Sequence, residues 1–219
     1  MIVIFDWDGT LCDSVDGIVR AMRAAAEELA MALPAEQAVR DIVGLGLPQA
    51  VARLFPDVSE VGRAAVAEAY SRQYIAATSS GPPPLFAGAR ELLGALRSAG
   101  FELAVATGKS RRGLNRVLAG AGMEDYFDAT RCADETASKP DPLMLRQILD
   151  QRGRLPGQAV MVGDSEYDLA MAASAGMASI GVSFGVHAPK RLQQHAPLGI
   201  VDQLSELLPL LEGVFDRTG

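Results

Sequence analysis

Hydrophobic and polar positions along this chain follow two periods. Short, mostly apolar runs at Ile2–Phe5, Glu102–Ala106, Ala159–Val162, Ala178–Val182 and, more weakly, Gly199–Val201 have the length of strands buried on both faces. Between them lie stretches of helical period. In Gly88–Ala99, residues Ala89, Leu92, Leu93 and Leu96 recur on one helix face, and Pro142–Arg152 reads as a further helix. Strands alternating with helices predict an α/β fold with a Rossmann-like, doubly wound parallel sheet. Ligands of such sheets gather beyond the carboxyl ends of the strands.

The segment Asp13–Pro84 breaks the alternation and reads as helix only. Val15, Ile18, Val19, Met22, Ala26 and Leu29 form one stripe, with Ser14 as the expected N-cap. A second helix is expected over Glu60–Ala77, stopped by the sequence SSGPPP. The organisation expected is a catalytic core of residues 1–12 and 85–219, with residues 13–84 inserted as a helical cap. Within that insert, VGLGLPQA (Val43–Ala50) reads either as a shaped loop or as a plain connector between helices.

Composition narrows the function classes. A chain of 219 residues with net charge −7 and pI near 4.9 is a poor candidate for sequence-independent nucleic-acid binding, which relies on clustered Lys and Arg, and no nucleic-acid partner is expected. No apolar run approaches the roughly 18 residues of a membrane span, and Met1 leads into the first strand without a basic leader, so a cytoplasmic protein is expected. Cys12 and Cys132 read as reduced thiols, and His187 and His195 as surface residues.

Four motifs stand at strand ends or in loops. In IFDWDGT, Asp6 and Asp8 end an apolar strand, where two carboxylates are costly unless a cation or a reaction needs them. In AVATGKS, the Thr107 hydroxyl and the N–H groups after it, beginning with Gly108, are placed to hold phosphate oxygens. Lys109, Arg111 and Arg112 read either as a solvated helix turn or as substrate-facing. Lys139, in SKPDP, supplies a point charge. In VGDSEYD, Asp164 and Asp168 are spaced to share one face of a starting helix, and hard oxygen ligands beside a phosphate suit Mg²⁺. Ser165 reads as a helix cap, and Glu166 either as merely exposed or as an additional acidic neighbour.

DxDGT followed in order by Thr107, Lys139 and Gly163-Asp164 resembles the haloacid dehalogenase superfamily, in its phosphoglycolate-phosphatase-like branch. The resemblance implies that Asp6 is the nucleophile and Asp8 the general acid and base. It assigns Thr107, Gly108 and Lys139 to phosphate binding. Asp6, the Asp8 carbonyl and Asp164 would ligate Mg²⁺, with Asp168 coordinating or orienting a metal-bound water. Gly44, Leu45 and Gly46 of the cap loop would select the substrate. The activity implied is hydrolysis of a small phosphomonoester, such as phosphoglycolate, a sugar phosphate or a nucleotide, by a monomer or homodimer. A sugar-phosphate mutase of the same superfamily and a receiver-like phosphoprotein are the alternatives.

Overall fold

The computed structural model describes residues 1–215. Strand β1 (Ile2–Phe5) is followed by four helices, α1 (Val15–Glu28), α2 (Glu36–Arg40), α3 (Leu47–Leu54) and α4 (Glu60–Ala77). Alternation then resumes with α5 (Ala89–Ser98), β2 (Glu102–Thr107), α6 (Arg111–Ala121), β3 (Ala129–Cys132), α7 (Leu143–Arg152) and β4 (Ala159–Gly163). The chain closes with α8 (Glu166–Ser174), β5 (Ala178–Val182), the short α9 (Pro189–Leu192), β6 (Ile200–Val201) and α10 (Leu207–Phe215).

The six strands form one parallel sheet in the order β3-β2-β1-β4-β5-β6. Phe5 is in register with Val105 on one side and Val162 on the other, so β1 is the centre of the sheet. Because side chains alternate across a strand, β1 feeds two cores. Val3 and Phe5 join Leu103, Val105, Val160 and Val162 against Leu96, Leu114 and Leu207. Ile2 and Ile4 join Ala104, Ala106 and Met161 against Met144, Ile148 and Met171. Strand β3 was not expected. Its four residues, ATRC, bury only the outer two, and a short edge strand carrying Thr130 and Arg131 has no apolar run to announce it.

The helices between β1 and α5 have their own core, in which Val19, Met22 and Ala26 of α1 meet Val51, Phe55 and Val66. Ser59 caps α4, accepting from the Gly62 N–H at 3.2 Å. Ser14 does not cap α1: its hydroxyl donates to Asp8 Oδ1 instead. The two segments linking these helices to the sheet run side by side, joined by Asp13 N–H to Pro84 O at 2.8 Å and Phe86 N–H to Leu11 O at 3.0 Å. No described helix is long and apolar enough to cross a membrane.

Candidate active site

Chain order along the sheet reverses between β1 and β4, and a crevice opens there at the carboxyl ends of the strands. Asp6 lies just past β1, its N–H donating to Val162 O at 2.9 Å, and Asp164 lies just past β4. Gly9 turns the loop under them at φ +81°, and a Cβ at that position would overlap the Asp164 carboxylate. Thr10 donates to Asp164 Oδ1 and the Val186 N–H to Oδ2, each at 2.9 Å. Asp164 precedes α8 rather than sharing a helix face with Asp168. The helix starts at Glu166, where Ser165 forms a capping box with Asp168.

Lys139, wholly buried, reaches both sides of this group. Its Nζ is 2.7 Å from Asp6 Oδ1 and 2.7 Å from Asp168 Oδ1. Asp168 Oδ2 accepts from the Ser165 hydroxyl at 2.6 Å, but Asp6 Oδ2 is buried without any hydrogen-bond donor. Oxygens of Asp6, Asp164 and Asp168 lie within 4.8 Å of one another. Three carboxylates against one ammonium leave an excess of two negative charges. Burial therefore pushes Asp6 well above the usual carboxylate range, Lys139 opposing and the neighbouring acids adding to the shift. Burial, with Asp168 beside it, raises Asp164 to about 7. An all-oxygen donor set with unbalanced negative charge and an orphaned buried oxygen fits a hard divalent cation.

Asp8 has a different setting. Ser14 donates to one oxygen, and Lys109 Nζ stands 2.9 Å from the other. Burial works against the Lys109 charge, but Asp8, Tyr74 and Tyr70 together outweigh it and hold the ammonium above its ordinary pKa. Thr107 is buried at the end of β2, its hydroxyl accepting from the Lys109 N–H at 3.2 Å. Gly108 has no room for a side chain, since a Cβ would sit 2.5 Å from the Gly44 and Leu45 carbonyls. The loop of the helical insert thus lies directly on the turn after β2.

Asp6, Asp8, Gly44, Leu45, Gly108 and Lys109 share the wall of a cavity of about 250 Å³ between sheet and insert. Gly46 is off that wall, and its N–H donates to Ser138 Oγ at 2.8 Å. Of the cations after Thr107, Arg112 faces the cavity while Arg111 turns away to Glu135 and Thr130. Tyr70, Tyr74 and Arg116 also line the cavity and were not singled out in the sequence. The available signal was the spacing of Tyr70 and Tyr74, four residues apart on one helix, in a chain with 4 tyrosines. Glu166 is not simply exposed: Arg191 pairs with it and holds it below the usual carboxylate range. His187 is not a surface residue either. It is 2% exposed, and its Nδ1 accepts the Glu166 N–H at 2.9 Å.

Known proteins of similar sequence and fold give the family. Residues 3–182 match the model of the haloacid dehalogenase-like hydrolases. A probable phosphatase, IndB, of Dickeya dadantii (strain 3937) is 38% identical over 213 residues, covering 94% of this chain and 91% of the relative. A phosphoglycolate phosphatase of Vibrio vulnificus (strain YJ016) is 31% identical over 218 residues, covering 96% and 95%. The solved structure of a phosphatase inferred for Clostridium acetobutylicum superposes with a TM-score of 0.84 at 27% identity, covering 96% of this chain and 98% of that one. The chain belongs to the haloacid dehalogenase-like hydrolases, and it is a phosphatase of that family.

Proposed function

We propose that this protein is a Mg²⁺-dependent phosphomonoesterase that works through an aspartyl-phosphate on Asp6. The observation that carries the reading is the Asp6 carboxylate. One oxygen is fixed by Lys139 at 2.7 Å, the other is buried and free of donors, and the residue lines the cavity. Asp6, Asp164 and Asp168, with the Asp8 carbonyl, are the groups that would hold Mg²⁺. Bound there, the ion would supply the positive charge that lets an anionic phosphate approach a carboxylate.

Asp6 attacks phosphorus as the bond from phosphorus to the leaving oxygen breaks, and Asp8 gives that oxygen its proton. Asp8 then takes a proton from the water that attacks the aspartyl-phosphate, releasing inorganic phosphate and the Asp6 carboxylate. Lys139, the Thr107 hydroxyl and the Gly108 N–H hold the phosphate oxygens, so the transferring group is fixed before the chemistry starts. The inserted helices act as a cap whose loop meets the leaving group through Gly44 and Leu45. The substrate is a small phosphorylated metabolite.

Phosphate release from a panel of metabolite phosphates tests this directly. Turnover is expected with Mg²⁺, to be lost on chelation, and to fall about 10³-fold or more in Asp6→Asn. Turnover that survives Asp6→Asn would contradict the reading. Isomerisation of a sugar phosphate with little phosphate released would assign a mutase instead.

A further inference from the structure

The wall that the insert gives the cavity has a chemistry that the reaction does not use. Ile18, Met22, Ile42, Val43, Leu47 and Ile75 cover it from the insert, beside Tyr70 and Tyr74. The two tyrosine rings are stacked with centroids 5.8 Å apart. Tyr74 is buried, and its hydroxyl makes no hydrogen bond of ordinary geometry. Lys109 Nζ lies 5.0 Å from the Tyr74 centroid and pairs with Asp8. Arg116 lies 5.9 Å from the same ring and, like Arg112, makes no ion pair among the described residues. The cavity wall therefore combines two acids, an apolar and aromatic face, and two cations without carboxylate partners among the described residues.

We propose, resting on the phosphatase reading above, that the substrate is a phosphomonoester whose body is an aromatic or heteroaromatic ring carrying a carboxylate away from the phosphate. The ring would lie against the apolar wall and Tyr74, and the carboxylate would meet Arg112 and Arg116. Size agrees: a cavity of about 250 Å³ has room for a ring beside the phosphate. A glycolyl group would leave much of that apolar volume to water. A sugar would bring hydroxyls to the aliphatic part of that wall, where Ile18, Met22, Ile42, Val43, Leu47 and Ile75 offer them no partner, and each unpaired hydroxyl is costly to bury. A planar ring gains both burial and edge or face contacts with tyrosine.

Alkyl-type leaving groups of similar basicity separate binding from leaving-group reactivity. We would compare kcat/KM for benzyl phosphate, para-carboxybenzyl phosphate, phosphoglycolate and glucose 6-phosphate, with Mg²⁺. Benzyl phosphate should exceed phosphoglycolate by about tenfold, the effect of burying a ring. The para-carboxylate should raise kcat/KM further, and Arg116→Gln should lower the ratio of para-carboxybenzyl to benzyl phosphate about fivefold. Preference for phosphoglycolate or glucose 6-phosphate, or a ratio unmoved in Arg116→Gln, would overturn the proposal while leaving the phosphatase reading intact. Failure to hydrolyse even the activated ester para-nitrophenyl phosphate would overturn the phosphatase reading and the proposal with it.

Discussion

Lys139 stands between Asp6 and Asp168 with its whole side chain out of solvent, 2.7 Å from each. Removing one partner of a buried ion pair leaves an uncompensated charge, at a cost of about 3–5 kcal/mol. Lys139→Met should therefore lower unfolding stability by about that amount at neutral pH, measured by urea titration without metal. Stability within about 0.5 kcal/mol of the parent would contradict the pairing. Gly108 makes a different demand. A Cβ there meets the Gly44 and Leu45 carbonyls at 2.5 Å, and backbone does not yield as a flexible side chain does. Gly108→Ala should raise KM more than it lowers stability, because the insert loop can back away from the sheet. Equal KM in the two proteins would show that the loop does not rest on Gly108 during turnover. Asp6 and Asp8 could be picked out from the sequence because charged groups at the ends of apolar strands are costly and so conspicuous, and Lys139 through its place in the order of the family's motifs. Ser14 and His187 could not. A serine ahead of a helical stripe reads as a cap, and only the folded chain turns its hydroxyl to Asp8. The burial of His187 depends on α8, whose Glu166 N–H it accepts.

The insert meets the sheet domain through a few polar contacts between elements. Arg191, on α9, joins Asp41 at 3.0 Å and also Glu166, at the start of α8. Tyr167 donates to the Asp41 carbonyl at 2.7 Å and accepts from Arg53 at 2.9 Å. These bonds fasten the segment after α2 and helix α3 over the site. Partly exposed pairs hold weakly, about 0.2–1 kcal/mol each, so such a latch is easily opened. Hydrogen exchange at residues 41–47 should quicken in the Arg191→Gln, Tyr167→Phe double variant, while exchange in β1 and β4 stays slow. Unchanged exchange at 41–47 would mean that packing alone holds the loop. Strands β1 and β5 were legible to the residue from their short apolar runs, and helix α4 in outline from the SSGPPP stop after it. Strand β3 was not, since pairing with β2, rather than its own composition, makes it a strand. The tyrosines of α4 were illegible as site residues because their position over the sheet depends on how the insert folds back.

Across the whole molecule, buried charge makes stability depend on pH. Burial raises the pKa of Glu102, but hydrogen bonds from Arg154 and Arg152 outweigh it, and the group sits below its usual 4.5. A depressed carboxylate stabilises the fold above its unfolded value and loses that contribution as pH falls through the folded one. Glu166, lowered mainly by Arg191, acts in the same direction. The melting temperature should therefore fall as pH drops below about 4.5, and should fall less steeply in Glu102→Gln. A slope unchanged by Glu102→Gln would remove this group from the account. The parallel order of the sheet was readable from alternation, and with it the edge where chemistry sits. The leaving group was not, because cavity shape arises from contacts between the insert and residues 108–116.

The central claim is that Asp6 carries the phosphoryl group. Rapid acid quench of the enzyme turning over substrate with Mg²⁺, reduction with borohydride and peptide mass spectrometry reads this directly, since an acyl phosphate is reduced to the alcohol at the modified residue. The account predicts conversion of Asp6 to homoserine, absent from Asp6→Asn and absent without substrate. Phosphate released at full rate with no modification at Asp6, or with modification at Asp8 instead, would contradict it.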